Sequence, residues 1–418
     1  MSSYIISGGN KVEGEIDVQG AKNAVLPILA ATILNGGKNV IHNCPDLRDV
    51  NITVEVLKNL GCKVKNQDRV LIVDSDDISG YTIPDFLMRQ MRSSIIFLGA
   101  IISRFKKAVV SMPGGCEIGN RPIDLHLKAL KQLGVEIEES HGYINCKADK
   151  LYGANIHLDF PSVGATENIM LAACMADGET IITNAAREPE IVDLENFLNR
   201  MGAKIKGSGS DVVKIEGVNR LYGVEHTIIP DRIAAATYLA CAAATNGQII
   251  LKKANPSHMD AMTAVLKEMG CKIYVEKSRL ILTTPNHKLK SVKRIVTMPY
   301  PGFPTDIQSP FMALATIADG TSVFVENIFE NRFQHVEELV RMGADIKVDG
   351  RIAVVQGVKK LSGAHVLAKE LRGGAALIVA ALSAEGVTTI ENLKFVERGY
   401  ENIEKYLSSC GANIKRKE

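Results

Sequence analysis

One short pattern occurs six times along the chain and constrains the fold more than any other feature of the sequence. Each copy is an amphipathic stretch that ends at a glycine shortly after a leucine or methionine, and a short alternating stretch follows it. The glycines recur at intervals of 68 or 73 residues, at Gly61, Gly134, Gly202, Gly270, Gly343 and Gly411. Each glycine fits the C′ position of a helix, where φ is positive and a side chain clashes. The chain is therefore predicted to consist of six structural repeats.

A nearly all-apolar, alanine-rich stretch precedes each of these glycines. The stretches cover residues 24–34, 94–102, 168–175, 234–244, 307–317 and 375–382. A helix that is apolar on all sides is buried on all sides, so each repeat is predicted to contain one inner helix and one partly exposed amphipathic helix. The predicted order is strand, inner helix, strand, amphipathic helix and two strands. The predicted fold class is α/β, with two lobes of three repeats of about 70 residues each.

The two ends of the chain indicate how the lobes are divided. The sixth repeat ends at the C-terminus, whereas the chain begins with two strand-like segments at residues 4–6 and 14–18. We expect these N-terminal strands to complete the last lobe. The first lobe then covers residues 21–229, and the second is discontinuous, with residues 1–20 and 230–418. Two large domains agree with a length of 418 residues.

The inner helices begin with polar or charged residues. Their first turns contain Lys22-Asn23, Arg92-Ser93, Gly164-Ala165-Thr166, Asp231-Arg232, Thr305-Asp306 and Arg372-Gly373. Helix N-termini carry unpaired N–H groups and the positive end of the helix dipole, so they bind anions. If the inner helices of a lobe are parallel, their positive ends meet at a cleft between the lobes, which suits a multiply anionic substrate. At any one position the alternative is an ordinary N-cap or a solvated charge.

The composition excludes several function classes. The formal net charge is only +2, so we expect no nucleic-acid partner. The N-terminus has no signal sequence and no apolar run reaches the ~18 residues of a membrane span, so we expect a cytosolic (cytoplasmic) protein without membrane contacts. The eight cysteines lack zinc-site spacing, which predicts reduced, mostly buried thiols and no metal site. Motifs for nucleotide cofactors and for α/β-hydrolases are missing, and no cofactor is expected.

One cysteine differs from the others in its surroundings. Cys116 lies in residues 111–125, which contain three glycines and two prolines, and this composition predicts an accessible thiol on a loop. Arg121 lies five residues further on, and a nearby cation lowers the pKa of a thiol. A thiol with a pKa of about 8.5 can act as a general acid or as a nucleophile. No histidine is placed for a cysteine-protease mechanism.

Three further charged residues are candidates for the site. Asp306 begins an inner helix, where it is either an N-cap or a base or hydroxyl anchor in the cleft. Arg332 and Arg398 occupy matching places in consecutive repeats, in Phe329-Glu-Asn-Arg332-Phe and Phe395-Val-Glu-Arg398-Gly. This match predicts that both arginines point inward.

Several motifs together resemble one family. They are GAKNA at residues 20–24, PGGCEIGNRPIDL at 113–125, SVGATEN at 162–168, NAAREPE at 184–190, FPTD at 303–306 and RGY at 398–400. With them the chain resembles the UDP-N-acetylglucosamine 1-carboxyvinyltransferases, a family of enolpyruvyl transferases, over its full length. The cysteine loop separates this family from the related shikimate-phosphate transferases. The resemblance implies an inside-out α/β barrel with two lobes of three repeats.

The resemblance implies a reaction between phosphoenolpyruvate and UDP-N-acetylglucosamine, the first committed step of peptidoglycan synthesis. The sugar 3′-hydroxyl attacks C2 of phosphoenolpyruvate, C3 is protonated, and phosphate leaves the tetrahedral ketal. The resemblance assigns Cys116 as the general acid and as the site of covalent adducts with phosphoenolpyruvate or with the epoxide fosfomycin. It assigns Asp306 as the acceptor of the hydroxyl proton, and Lys22 and Arg398 as further catalytic residues.

The resemblance also implies substrate contacts. The phosphate is held by Lys22, Arg121 and Arg398, and the residues near the substrates include Arg92, Arg332 and Arg372. The contacts to the sugar nucleotide are Asn23, Arg121, Pro122, Ile123, Asp124, Leu125, Ser162, Val163, Gly164, Asp306 and Ile328. One departure is Glu370, which stands where the family usually has aspartate, so a longer side chain could shift Arg372.

Two alternatives stay open from the sequence. One is a 3-phosphoshikimate 1-carboxyvinyltransferase, which shares the repeats and the reaction type. The other is a repeat scaffold that binds sugar nucleotides without catalysis. Phosphate release from phosphoenolpyruvate with each acceptor distinguishes them.

Overall fold

The structure is a computed structural model that describes residues 2–112, 114, 123–285 and 287–418. These residues form two compact units. We call the described residues of Gly20–Ile229 the first lobe, and the residues up to Gln19 together with Pro230–Glu418 the second lobe.

The described strands are mostly short, with five residues or fewer. In chain order they are β1 Ser3–Ser7, β2 Glu13–Asp17, β3 Lys38–His42, β4 Lys63–Gln67, β5 Val70–Asp74, β6 Thr82–Ile83, β7 Lys107–Ser111, β8 Glu136–Ser140, β9 Tyr143–Lys147, β10 Asn155–His157, β11 Glu179–Thr183, β12 Lys204–Lys206, β13 Val212–Glu216, β14 Glu225–Thr227, β15 Gln248–Lys252, β16 Lys272–Glu276, β17 Arg279–Thr283, β18 Arg294–Val296, β19 Thr321–Val325, β20 Asp345–Asp349, β21 Ile352–Gln356, β22 His365–Leu367, β23 Val387–Glu391 and β24 Asn413–Lys417.

Apart from the four-residue α3, the described helices alternate between inner and amphipathic ones. They are α1 Lys22–Ala31, α2 Arg48–Leu60, α3 Asp85–Met88, α4 Phe97–Phe105, α5 Asp124–Gln132, α6 Val163–Ala173, α7 Pro189–Arg200, α8 Arg232–Ala244, α9 Asp260–Glu268, α10 Thr305–Ala315, α11 Val336–Arg341, α12 Leu371–Ser383 and α13 Ile403–Ser409. Short 3-10 helices cover Arg92–Ile96, Pro256–His258 and Val396–Arg398.

The strands of the described residues form six four-stranded sheets of one design. In each sheet the strand before an inner helix pairs in parallel with a strand that follows an inner helix, and antiparallel strands complete the sheet. The sheets of the first lobe have the orders β14-β3-β5-β4, β6-β7-β9-β8 and β10-β11-β13-β12. Those of the second lobe are β16-β17-β15-β2, β18-β19-β21-β20 and β22-β23-β1-β24. The predicted fold class, six α/β repeats in two lobes of three, is confirmed.

The first strands of the chain complete sheets formed by its last part. Tyr4 of β1 lies opposite Ile390 of β23 on one side and Arg416 of β24 on the other. β2 pairs in parallel with β15, with Ile16 opposite Leu251. The sixth repeat therefore receives its fourth strand from the N-terminus.

Six described helices fill the cores of the two lobes, namely α1, α4, α6, α8, α10 and α12. Every residue of α8 is buried, and so are Leu371–Leu382 of α12. The predicted burial of the inner helices is confirmed. Several of them begin before the apolar stretches that predicted them, because their first turns carry polar residues.

The six repeated glycines have φ between 91° and 108°. This left-handed conformation ends the amphipathic helices and is costly for residues with a side chain, so the predicted C′ role is confirmed. The seven described cysteines are buried and form no disulfide, as predicted for these positions. Across the described ranges, none of the helices combines the length and the apolar composition of a membrane span.

Candidate functional site

In the second lobe, an aspartate and an arginine from two inner helices form an ion pair. Asp306 and Arg372 are the second residues of α10 and α12, which pack against each other. Arg372 Nη2 donates a hydrogen bond of 3.0 Å to Asp306 Oδ2. The N-cap of the third inner helix, Asp231, accepts hydrogen bonds from the N–H groups of Ile233 and Ala234. The sequence-predicted N-terminal turns of α10 and α12 thus lie side by side.

A second arginine holds the same carboxylate. Arg332 is 1% exposed, and its Nη2 donates to Asp306 Oδ1 at 3.2 Å. Its Nε and Nη2 also donate to the carbonyl oxygen of Thr305, at 3.3 and 2.9 Å. Its Nη1 lies 3.8 Å from Glu370 Oε2. Asp306 therefore lies between two guanidinium groups, and Arg332 is held by protein groups through all three of its nitrogens.

Arg372 differs from Arg332 in how its donors are used. Its side chain is 2% exposed, and its Nε and Nη1 are buried without a hydrogen-bond partner. Burial disfavours the charge, but the Asp306 carboxylate, followed by Tyr400 and Asp231, outweighs it and raises the pKa of Arg372 above its ordinary value. Buried donors without a partner are costly, and a guanidinium edge with two parallel N–H groups matches a carboxylate or phosphate.

Asp306 is not an N-cap. The N-cap of α10 is Pro304, and no side chain caps this helix. The Asp306 side chain is 26% exposed and binds the two arginines instead. The N-cap alternative for Asp306 is therefore wrong, because Asp306 lies two positions past the N-cap and its carboxylate binds an arginine of a neighbouring helix.

Glu370 caps the helix that carries Arg372. Its carboxylate accepts hydrogen bonds from the N–H groups of Arg372, at 2.7 Å, and of Gly373. Shorter side chains are usual at this position of a helix. A Cβ at residue 373 would lie only 2.8 Å from Glu370 Oε1, so the glycine leaves room for the longer acid. The bond between Arg372 and Asp306 is present with glutamate at position 370.

In the first lobe, the leading residue of α1 forms a buried ion pair. Lys22 Nζ lies 2.8 Å from Asp49 Oδ2, with side chains 11% and 0% exposed. Asn23 follows and is partly buried. Asp49 was not predicted as a site residue, because an acid in the first turn of an amphipathic helix is ordinarily explained by the helix dipole.

Arg92 connects the 3-10 helix before α4 to the segment that contains the cysteine motif. Arg92 Nη1 donates to the carbonyl oxygen of Gly114 at 3.3 Å. The predicted site residues Cys116, Arg121 and Pro122 lie outside the described residues. Of the remaining predicted contacts in this segment, Ile123 precedes α5, Asp124 is its first residue, and Leu125 is partly buried against the core.

A buried histidine in the first turn of α5, His126, packs against the first turns of α6. Asn168 Nδ2 donates to His126 Nδ1 at 2.6 Å, which assigns the imidazole proton to Nε2. Burial and then the charge of Arg92 lower the pKa of His126 to about 4, so the ring is neutral. A Cβ at Gly164 would lie 3.1 Å from His126 Cε1, so the ring packs on this glycine. His126 was not predicted as a site residue, because a lone histidine in an amphipathic helix belongs to no motif.

The serine of the SVGATEN motif caps α6. Ser162 accepts a hydrogen bond of 3.3 Å from the N–H of Ala165, and Val163 and Gly164 follow in the first turn. In the second lobe, Ile328 is partly buried and its N–H donates to Glu326 at 2.8 Å. Arg398 ends a 3-10 helix and is partly buried, whereas Arg332 is fully buried. Equivalent sequence positions therefore differ in burial.

Comparisons with known proteins agree with this architecture. The sequence profile of the EPSP synthase (3-phosphoshikimate 1-carboxyvinyltransferase) family matches residues 6–407. The chain is 57% identical to UDP-N-acetylglucosamine 1-carboxyvinyltransferase 2 of Caldanaerobacter subterraneus subsp. tengcongensis, covering 100% of both chains. It is 53% identical to UDP-N-acetylglucosamine 1-carboxyvinyltransferase 1 of Carboxydothermus hydrogenoformans, covering 100% of this chain and 98% of the relative.

Solved structures show the same fold at lower identity. The crystal structure of the enolpyruvyl transferase NikO from Streptomyces tendae superposes with a TM-score of 0.90 at 23% identity, covering 99% of this chain and 98% of that one. EPSP synthase from Acinetobacter baumannii superposes with a TM-score of 0.75 at 18% identity, covering 100% of both chains. The profile and the full-length relatives confirm the resemblance seen in the motifs, and the chain belongs to the UDP-N-acetylglucosamine 1-carboxyvinyltransferases, within the EPSP synthase family.

Proposed function

We propose that this protein transfers the enolpyruvyl group of phosphoenolpyruvate to the 3′-hydroxyl of UDP-N-acetylglucosamine and releases phosphate. The observation that supports it most directly is the pair formed by Asp306 and Arg372. A carboxylate, 26% exposed, is held beside a buried guanidinium that has two N–H groups without a partner. The carboxylate can take a hydroxyl proton, while the guanidinium binds an anion of the second substrate.

The reaction balances as an addition followed by an elimination. The 3′-oxygen bonds to C2 of phosphoenolpyruvate as its proton passes to Asp306, and C3 receives a proton from Cys116. Phosphate then leaves C2 with the bridging oxygen and takes up the proton held by Asp306, while C3 returns a proton to the Cys116 thiolate as the double bond is restored. Cationic groups around the ketal stabilise its negative charges, which is commonly the largest contribution to rate.

The remaining roles follow the family assignment. Lys22, held by Asp49, and the arginines Arg121 and Arg398 bind the phosphate, with Arg92 and Arg372 near the substrates. Arg332 holds Asp306, and its three nitrogens already contact protein oxygens. The sugar nucleotide contacts Asn23, Arg121, Pro122, Ile123, Asp124, Leu125, Ser162, Val163, Gly164, Asp306 and Ile328.

The role of Cys116 has its own chemical test. Fosfomycin carries an electrophilic epoxide and resembles phosphoenolpyruvate, so it is expected to alkylate the thiol. Intact-mass spectra should show one adduct on the wild type and none on Cys116→Asp, which keeps an acid without a thiolate. A wild-type protein without any adduct would remove Cys116 from the mechanism.

We also propose a cytoplasmic location and a place in cell-wall synthesis. The seven described cysteines, all buried and without a disulfide, are typical of a reducing compartment. Both substrates are small phosphorylated metabolites, and the product supplies peptidoglycan synthesis.

The deciding experiment is phosphate release from phosphoenolpyruvate with each acceptor in turn. Release with UDP-N-acetylglucosamine alone is the expected result. Release with 3-phosphoshikimate instead would support the activity after which the family profile is described. Binding of the sugar nucleotide without any phosphate release would support a non-catalytic scaffold.

A further inference from the structure

The RGY motif contains a tyrosine that has no role in the reaction described above. Tyr400 is 2% exposed, and the Arg372 guanidinium lies over its ring, with 5.4 Å from Cζ to the ring centroid. A cation desolvated over an aromatic face is attracted by the ring quadrupole. The ring therefore covers one face of the guanidinium whose Nε and Nη1 lack hydrogen-bond partners.

The tyrosine itself is fixed at its hydroxyl. Tyr400 Oη and Thr237 Oγ1 are 2.9 Å apart. The Thr237 hydroxyl donates its hydrogen to the carbonyl oxygen of Ile233 at 3.0 Å, so Tyr400 is the donor in the pair. This bond ties the ring to α8, a helix different from the one that carries Arg372.

The side-chain amide of Gln19 binds the backbone on both sides of Tyr400. Gln19 Nε2 donates to the carbonyl oxygen of Gly399 at 3.1 Å, and the N–H of Glu401 donates to Gln19 Oε1 at 2.9 Å. Gln19 is 2% exposed. A Cβ at Gly399 would lie 3.3 Å from Arg372 Nη1 and 3.0 Å from Leu371, so any side chain at position 399 would crowd this edge of the buried guanidinium.

We propose that Tyr400 is a positioning residue for the enolpyruvyl transfer. Its ring fixes the orientation of the Arg372 guanidinium. In this orientation Nη2 donates to Asp306, and the edge formed by Nε and Nη1 binds the anionic group of phosphoenolpyruvate. This inference rests on the proposed function. Arg332 also lies over an aromatic ring, with 5.8 Å between its Cζ and the centroid of Phe329. It does not depend on that ring for its position, because its nitrogens already contact protein oxygens.

The test separates the ring from its hydroxyl. Tyr400→Leu removes both, and we expect the KM for phosphoenolpyruvate to rise about tenfold, with the KM for UDP-N-acetylglucosamine changed less than about twofold. Tyr400→Phe and Thr237→Val remove the same hydrogen bond from opposite ends, so each should raise the KM for phosphoenolpyruvate by about two- to threefold. Phe329→Leu is the matched control and should change this KM less than Tyr400→Leu does.

A double-mutant cycle shows whether the tyrosine acts through the arginine. In an Arg372→Lys background, Tyr400→Leu should change the KM for phosphoenolpyruvate by less than about twofold, because the planar cation is gone. Multiplicative effects in the double variant, or equal rises of both KM values in Tyr400→Leu, would overturn the proposal and indicate a general packing role. If Tyr400→Leu does not fold, an unchanged KM in both Tyr400→Phe and Thr237→Val overturns it.

Equilibrium binding of phosphoenolpyruvate keeps this test independent of turnover. Weaker binding to Tyr400→Phe than to the wild type supports the positioning role, whether or not phosphate is released. Absence of phosphate release with every acceptor would contradict only the proposed function. Equal binding in an active enzyme contradicts the positioning role alone.

Discussion

The first and second lobes are built from the same repeat, yet their inner helices begin with different electrostatic arrangements. In the first lobe, Lys22 is paired with a fully buried carboxylate, and the histidine near α6 is neutral. In the second lobe, one carboxylate is shared by two buried guanidinium groups, one of which keeps unused donors. The repeat therefore determines where a charged side chain begins a helix, and the neighbouring helices determine whether its charge is already matched.

Each lobe also contains a buried neutral histidine beside an arginine. His126 of the first lobe has a pKa of about 4, lowered by burial and then by Arg92. His335 of the second lobe has a pKa of about 3, lowered by burial and then by Arg332. In both lobes a neutral imidazole beside the guanidinium avoids a second positive charge there.

The largest expected effect concerns the shared carboxylate. Asp306→Asn keeps the shape of the side chain but removes the base and the charge between Arg332 and Arg372. We expect kcat to fall about 10³-fold, within the range attributed to general acid–base catalysis. Steady-state phosphate release measures it, and a decrease below about tenfold would mean that another group accepts the hydroxyl proton.

A smaller effect is expected from the corresponding change in the first lobe. Asp49→Asn weakens the hold on Lys22, and we expect the KM for phosphoenolpyruvate to rise about tenfold with kcat changed less than about threefold. The control is Asp77→Asn, which removes the carboxylate from an exposed ion pair with Lys63. Exposed pairs contribute little, so this variant should match the wild type. Equal behaviour of the two variants would contradict a role for Asp49 in holding Lys22.

The two histidines predict a pH dependence of stability. Their folded-state pKa values lie below the ordinary value of about 6.5, so the unfolded chain binds protons that the folded chain does not. The corresponding stability is present above pH about 6.5 and is lost as the pH falls toward the folded-state pKa.

Between pH 7 and pH 5 we expect each histidine to lower the free energy of unfolding by about 2 kcal/mol. Urea denaturation at both pH values measures this loss in the wild type, in His126→Gln and in His335→Gln. Each variant should lose about 2 kcal/mol less than the wild type. An unchanged pH dependence in one variant would show that the histidine in that lobe is not buried neutral.

The smallest effect is expected for Glu370→Asp. Aspartate is a good N-cap and can accept the same N–H groups of Arg372 and Gly373, but it is one methylene shorter on the side of Arg332. We expect kcat and both KM values to change less than about twofold, with stability within about 1 kcal/mol of the wild type. Glu370→Ala is the contrasting variant, and it should be less stable because the cap is lost.

The repeats could be predicted from the sequence because glycine at a positive φ and all-apolar helices are local signals. Whether a polar residue at the start of a helix is an N-cap or a site residue could not be predicted from the neighbouring sequence. Ser162 is a cap and Asp306 is not, since the outcome depends on which side chain of a neighbouring helix lies within reach. Asp49 was missed, and Tyr400 was noted only as part of the RGY motif without a role, because each contacts a partner distant in sequence.

The fate of one oxygen atom tests the proposed enolpyruvyl transfer most directly. Phosphoenolpyruvate labelled with a heavy oxygen isotope at the atom that bridges C2 and phosphorus is incubated with the enzyme and UDP-N-acetylglucosamine, and the released phosphate is analysed by mass spectrometry. Addition at C2 followed by elimination breaks the bond between carbon and oxygen, so all of the label should appear in phosphate. Label retained in the carbon product would show that the bond between phosphorus and oxygen breaks, and would contradict enolpyruvyl transfer.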